Sequence, residues 1–202
     1  MKIVKTDSKN YRKIIELVEK LIREGKVLVC PTDTVYGLIA DATNKKAVDK
    51  IFKIKKRPRN KPIPVFIKDL KTAQKLALIN KNQEKFFKKA WPGKITVVLK
   101  RKEGKQIYGI DKKTIALRVP NYKLVNILLK KLKCPLIGTS ANISGKPAST
   151  EIKEVLKQFT LRRGSGQEKY QIDLVIDVGN LPKSRPSLVI DLTKEPPKIL
   201  RK

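Results

Sequence analysis

Residues 26–38 read Lys-Val-Leu-Val-Cys-Pro-Thr-Asp-Thr-Val-Tyr-Gly-Leu. Lys26 to Cys30, apolar from Val27 on and stopped by Pro31, reads as a buried strand. Beyond Pro31 the chain turns polar, with hydroxyls at Thr32 and Thr34 and a carboxylate at Asp33. In open α/β sheets, ligands bind where strands end. The segment reads either as a ligand loop or as a strand-end turn that satisfies its own backbone groups.

The rest of the chain places this strand among others. Ile3 and Val4 start an edge strand. Ser8 caps a helix that turns Ile14, Ile15, Val18, Leu21 and Ile22 inward and stops at Gly25. Asn44 caps a second, with Ala47, Val48, Ile51 and Phe52 inward. A strand at Ile63 to Ile67, a helix capped by Asp69 and a helix from Gln83 to Ala90 come next. Strands at Ile95 to Leu99 and Thr114 to Val119 precede a helix at Lys123 to Leu132 and a strand at Pro135 to Gly138. Ser149 caps a helix ending near Phe159, and the polar stretch Leu161 to Gln171 reads as a mobile loop. Strands at Leu174 to Val178, Leu188 to Leu192 and Ile199 to Arg201 close the chain. Strands and helices mix without strict alternation. That predicts an α/β fold with one twisted mixed sheet and flanking helices, rather than a purely parallel doubly wound sheet. With 202 residues, no internal repeat and no linker, the expectation is one domain over 1–202.

Composition narrows the chemistry. The chain has 48 basic and 18 acidic residues, a formal net charge of +30, and no histidine. Histidine-based triads, histidine-ligated zinc and imidazole bases are therefore excluded. Lys50 to Ser149 alone carries a net +23, so the middle of the chain faces a polyanion or a phosphorylated ligand. No apolar run is long enough to span a membrane, and Met1 to Asn10 lacks an apolar signal core. The expectation is a soluble cytoplasmic protein in which Cys30 and Cys134 are reduced, buried thiols, with one optional disulfide left open.

Two further segments carry chemistry. Lys53 to Lys61 has six basic residues in nine, stiffened by Pro58 and the adjacent Pro62. Arginine offers a planar fork for phosphate oxygens and lysine a point charge. Basic residues also complement the carboxyl end of a helix, but that does not explain charge continuing past Pro58. Gly138 to Gly145 is small and hydroxylated after a strand, either a ligand loop or a tight polar turn. Neither a Gly-x-x-x-x-Gly-Lys nor a Gly-x-Gly-x-x-Gly motif is present. No nucleophile has an adjacent base, so chemistry here rests on positioning and charge stabilisation.

In this order, these segments resemble the YrdC/YciO family of threonylcarbamoyladenylate synthases. The matching pieces are Pro31 to Leu38, Lys55-x-Arg57-Pro58, Trp91-Pro92-Gly93, Thr114 to Pro120, Ser140-x-Asn142, Ser144 to Pro147 and Pro186 to Asp191, within a resemblance running from about Lys9 to Arg201. The resemblance implies a YrdC-like twisted sheet with one concave basic face. It also implies a reaction in which L-threonine, bicarbonate and ATP give threonylcarbamoyl-adenylate and pyrophosphate, for threonylcarbamoyl modification of tRNA. Carried over by motif, Thr34, Phe66, Arg118, Ser140 and Ser187 meet threonine. Lys55 and Arg57 act as the catalytic cations, and Arg57, Lys61, Thr114, Asn142, Thr150 and Arg201 hold ATP. The resemblance assigns no protein metal ligands, and magnesium (Mg2+) arrives with ATP. The expected partner is the downstream tRNA threonylcarbamoyl transferase machinery, with direct tRNA contact left open. Phe66 stands where many relatives place a histidine, Leu188 replaces the threonine of a usual Ser-Thr-Val stretch, and the chain resembles the short form of the family. The alternatives are a YciO-like RNA-binding relative without this synthesis, and a carbamoyl-transfer module like those of hydrogenase maturation proteins.

Overall fold

The computed structural model describes residues 1–7, 9–104, 106–160 and 171–202. In chain order the elements are β1 (Lys2–Lys5), α1 (Tyr11–Arg23), β2 (Leu28–Cys30), β3 (Gly37–Asp41), α2 (Lys45–Lys55), β4 (Val65–Phe66), α3 (Leu70–Leu76) and α4 (Lys81–Ala90). Then come β5 (Ile95–Lys100), β6 (Thr114–Arg118), α5 (Lys123–Leu132), β7 (Leu136–Ser140), α6 (Ile152–Thr160), β8 (Leu174–Asp177), β9 (Leu188–Asp191) and β10 (Lys198–Arg201). The strands form one sheet in the order β1-β8-β2-β3-β7-β4-β6-β5-β9-β10. Parallel pairs (β1/β8, β2/β8, β4/β6, β5/β9) are interspersed with antiparallel ones (β2/β3, β3/β7, β4/β7, β5/β6, β9/β10), as the mixed pattern predicts.

Because strand side chains alternate, the sheet has two faces to bury. One face is covered from β8 across to β5. Val29, Leu38, Val65, Val97, Ile115 and Leu117 pack into one cluster with Val48, Ile51, Phe52, Leu76 and Phe87 from α2, α3 and α4. The other face is covered over half its width. Leu28, Ile39, Leu136 and Leu174 meet Ile14, Val18 and Ile22 of α1 and Leu124, Val125 and Leu128 of α5. Each such fully buried aliphatic side chain contributes about 1.5–3 kcal/mol. Past β4 that covering ends. Leu136, Phe66 and Arg118 are cross-strand partners in one row, and the row passes from helix-covered leucine to a charged side chain on an open cavity.

Caps set the helix starts. The Asn44 side chain accepts from the Ala47 N–H at 3.1 Å and that of Asp69 from the Thr72 N–H at 2.7 Å, as their positions predict. Asn80 and Gln83 form a capping box, which starts α4 at Lys81 rather than Gln83. Asn10 is the N-cap of α1, and the Ser8 assignment falls outside the described residues. So does all but the last residue of the predicted Leu161–Gln171 loop. The strand expected over Ile63 to Ile67 is only Val65–Phe66. One strand is new. Gly37–Asp41 turns back along β2 as β3, so the Pro31–Tyr36 motif is the loop of an antiparallel hairpin.

Candidate active site

The uncovered half of the sheet holds a cavity of about 260 Å³. The hairpin loop after β2 forms one wall, and Ser140 at the end of β7 stands beside it. Thr96 and Arg118 rise from β5 and β6, while Ser187 and Arg201 close the far side from the β9 and β10 segments. Of the residues expected at the site, Thr34, Arg57, Phe66, Arg118, Ser140, Ser187 and Arg201 converge here.

Arg118 is 3% exposed and held at each nitrogen. Its Nη2 donates to Asp33 Oδ1 at 2.6 Å, its Nε to the Gly93 carbonyl at 2.9 Å and its Nη1 to Thr34 Oγ1 at 3.3 Å. The Trp91-Pro92-Gly93 segment presents that carbonyl. Trp91 stacks on Phe87 at 4.6 Å and donates its indole N–H to the Ile95 carbonyl. A Cβ on Gly93 would stand 2.6 Å from the Ala90 carbonyl oxygen, so only glycine fits. The Phe66 ring lies 5.7 Å from the Arg118 guanidinium carbon and also occupies the space over Gly138, where a Cβ would come within 2.5 Å of it.

Ser187 Oγ lies 2.8 Å from Thr96 Oγ1. Arg201 donates to the Ser187 carbonyl from Nε and Nη2 at 3.0 and 2.7 Å, which pins edge strand β10 against the cavity. Arg57 donates to the Lys61 and Pro62 carbonyls at 2.8 and 2.9 Å, curling the basic loop around its own guanidinium. The electrostatics reflect this crowding. Burial first, then Arg201, lowers the pKa of Arg57; burial first, then Arg118, lowers that of Arg201. No carboxylate lines the cavity among the described residues, and Asp33 sits behind Arg118. Such a site favours an anion.

Other expected site residues stand elsewhere. Lys55 is 1% exposed and does not line the cavity. Its ammonium donates to the Ser140 carbonyl (2.5 Å), the Asn142 carbonyl (2.7 Å) and Asn142 Oδ1 (3.2 Å). Burial, with Arg57 second, pushes its pKa down to about 7. Asn142 takes a hydrogen bond from Ser140 Oγ at 2.6 Å and donates to the Ile143 and Lys146 carbonyls. Lys55 and Asn142 thus brace the Ser140 loop, and neither is among the residues that line the cavity. Lys61 is exposed and Thr150 half-buried, both outside the cavity lining. Thr114 lies at the other end of β6, in a second cleft of about 680 Å³ with Lys100, Arg101, Lys102, Lys112, Lys113 and Lys194.

Cys30 is buried and burial pushes its thiol pKa up, which keeps it from acting as a thiolate. Cys134 is half-buried, not buried as expected. Among the described residues, no three His, Cys, Asp or Glu side chains come together in a way that could hold a metal ion. No helix there is long and apolar enough to cross a membrane. Three groups hold Arg118 and Ser187 through contacts that the sequence does not announce. The Gly93 carbonyl is a backbone group and has no residue-type signal. Thr96 is a lone hydroxyl in an apolar strand. Asp33 was visible inside its motif, but only the fold brings Arg118 to it.

Three guanidiniums and several hydroxyls line one open cavity of a mixed α/β sheet, an arrangement suited to a small anionic ligand, and among the described residues no cluster that could hold a metal ion accompanies it. The Sua5/YciO/YrdC family model, described as "Telomere recombination", matches residues 20–202, and the chain belongs to that family. It is 35% identical over 192 residues to a putative threonylcarbamoyl-AMP synthase of Methanocaldococcus jannaschii, covering 95% of this chain and 86% of the relative. The crystal structure of Pyrococcus abyssi Sua5 complexed with L-threonine superposes with a TM-score of 0.83 at 35% identity, over 99% of this chain. This chain spans only 56% of that longer protein. Escherichia coli YciO superposes with a TM-score of 0.81 at 26% identity, over 100% of this chain and 94% of its own.

Proposed function

We propose that this chain is an L-threonylcarbamoyladenylate synthase, a nucleotidyltransferase acting on L-threonine, bicarbonate and ATP. The observation that carries the reading is the cavity with Arg57, Arg118 and Arg201 and no lining carboxylate, in a family whose named members include threonylcarbamoyl-AMP synthases. Arg118 suits a bidentate grip on the α-carboxylate of threonine. Thr34, Ser140 and Ser187 offer hydroxyls to its polar atoms, and Phe66 supplies an apolar wall. Arg57 and Arg201, also in the cavity lining, offer guanidiniums for phosphate charge. The small cavity suits the amino acid and the reacting phosphate. The nucleotide then extends along the open face toward Thr114, about 13 Å away over four strand residues. Lys61 at the loop rim and Thr150 beside the Ser140 loop complete this proposed ATP track.

Bicarbonate and the threonine amine lose water to give a carbamate. A carbamate oxygen attacks the α-phosphorus, the bond from that phosphorus to the bridging oxygen breaks, and pyrophosphate leaves with the electron pair. Charge builds on the leaving phosphates, and fixed guanidiniums stabilise it without reorganising. Magnesium enters with ATP as part of the substrate, held by phosphates and water. The product would pass to a tRNA-modifying transferase.

The test is pyrophosphate release from ATP and bicarbonate, with and without L-threonine, with serine and glycine as controls. The expected result is release that needs both threonine and bicarbonate. Folded protein that releases none overturns the reading in favour of a YciO-like RNA binder, whose affinity would fall steeply with salt.

A further inference from the structure

The ion pair of Asp33 and Arg118 is nearly sealed, with side-chain exposures of 8% and 4%. The Lys50–Asp173 pair, by comparison, is 24% and 23% exposed at its acid and base. A sealed ion pair is a poor device for stability alone, because removing two charges from water costs about what their attraction returns. Both oxygens of Asp33 are used. Oδ1 accepts from Arg118 Nη2 at 2.6 Å, and Oδ2 accepts from the Asn121 N–H at 3.0 Å. The carboxylate is therefore tied to the chain leaving β6 as well as to the hairpin loop that carries it. With the Gly93 carbonyl on Nε and Thr34 on Nη1, the guanidinium plane is fixed on several sides while Arg118 still lines the cavity. Asp33 itself does not line it.

We infer that Asp33 is a positioning residue, which sets the plane of the Arg118 fork so that the donors left over meet the α-carboxylate of an amino acid. This rests on the proposed function for the identity of that amino acid. Asp33 touches no substrate and moves no proton. Its work is to occupy one edge of a fork so that the remaining edge is presented in a single orientation, which matters because a misplacement of about 1 Å at a reacting centre costs about 100-fold.

The experiment uses the full chain and L-threonine as probe. Threonine and ATP dissociation constants are measured by calorimetry for the wild type, Asp33→Asn and Asp33→Glu, and the Arg118 guanidinium is followed by 15N NMR. The inference predicts restricted Arg118 side-chain signals in the wild type that collapse in Asp33→Asn. It predicts threonine affinity about 10- to 100-fold weaker in that variant, with ATP affinity unchanged. Asp33→Glu, which keeps the charge, recovers part of the threonine affinity. Unchanged threonine binding in folded Asp33→Asn overturns the inference, as does equal loss of threonine and ATP, the mark of a merely structural role. If Asp33→Asn fails to fold, Asp33→Glu decides: freed Arg118 signals with full threonine affinity overturn the inference, and freed signals with weaker threonine but unchanged ATP affinity support it. A wild type that binds no threonine overturns the proposed function and this inference with it. A wild type that binds threonine, beside an unaffected variant, overturns the inference alone.

Discussion

Leu136 and Arg118 flank Phe66 in one row across the sheet, and their surroundings differ completely. On the Leu136 side, α1 and α5 close over the sheet with Val18, Ile22, Leu124 and Leu128, and the face is apolar. On the Arg118 side no described helix arrives, and the same face carries Thr96, Ala116, Arg118 and Ser187 around a cavity. The underside of both halves is one continuous apolar layer. A sheet buried on one face is stable enough to leave part of the other open, and the open part is free to hold charge. Phe66 is the border residue, packed against the helix-covered cluster while its ring faces Arg118.

The contrast breaks down if mutations on the two halves have interchangeable effects. The largest expected difference is at Arg118. Arg118→Ala lowers turnover about 1,000-fold in the folded enzyme, mainly through threonine, by loss of a fixed charge-bearing donor. Steady-state kinetics with varied threonine and varied ATP check this. On the covered half, Leu128→Ala costs about 2–5 kcal/mol of stability in urea unfolding, while turnover per folded molecule stays within about twofold. Arg57→Ala lowers turnover by about 100-fold through ATP, with little change in thermal stability because its partners are loop carbonyls. Equal effects on ATP and threonine from Arg57 and Arg118 would merge the two roles proposed for them.

The smallest effect concerns pH. Burial lowers the Lys55 pKa from 10.5 to about 7. Between those values the unfolded chain binds the proton more firmly than the folded one, so stability rises with pH in that window. The Lys55 contribution is greatest above pH 10.5 and is lost as pH falls to about 7. In Lys55→Met the slope of stability against pH is shallower over this window than in the wild type. Parallel slopes in urea titrations would show that Lys55 does not titrate there.

Much of this arrangement was legible in the chain. Helix caps and apolar spacing placed α2, α3 and α5, because those signals are local. Gly37–Asp41 is hard to read as a strand because its start lies inside the polar motif that joins it to β2, and its second partner, β7, is about a hundred residues away. The cationic loop and the Ser140 segment announced themselves by composition. The surroundings of Lys55 are not legible in the sequence: a lysine beside an arginine in a basic run reads as a ligand contact, and only the fold shows its ammonium turned inward onto the Ser140 and Asn142 carbonyls. Asp33 was noticed as a carboxylate but not as the partner of Arg118, since 85 residues separate them.

The central claim is that the ligands meet on the half of the sheet that α1 and α5 leave bare. The most direct test is an NMR titration of the protein with L-threonine, with and without ATP, mapped on the backbone amides. The expected shifts are confined to the cavity walls around Thr34, Phe66, Arg118, Ser140 and Ser187, with the amides of α1 and α5 unmoved. Shifts centred on α1 and α5, or on the basic cleft around Lys100 and Lys113 while the cavity stays silent, would contradict it.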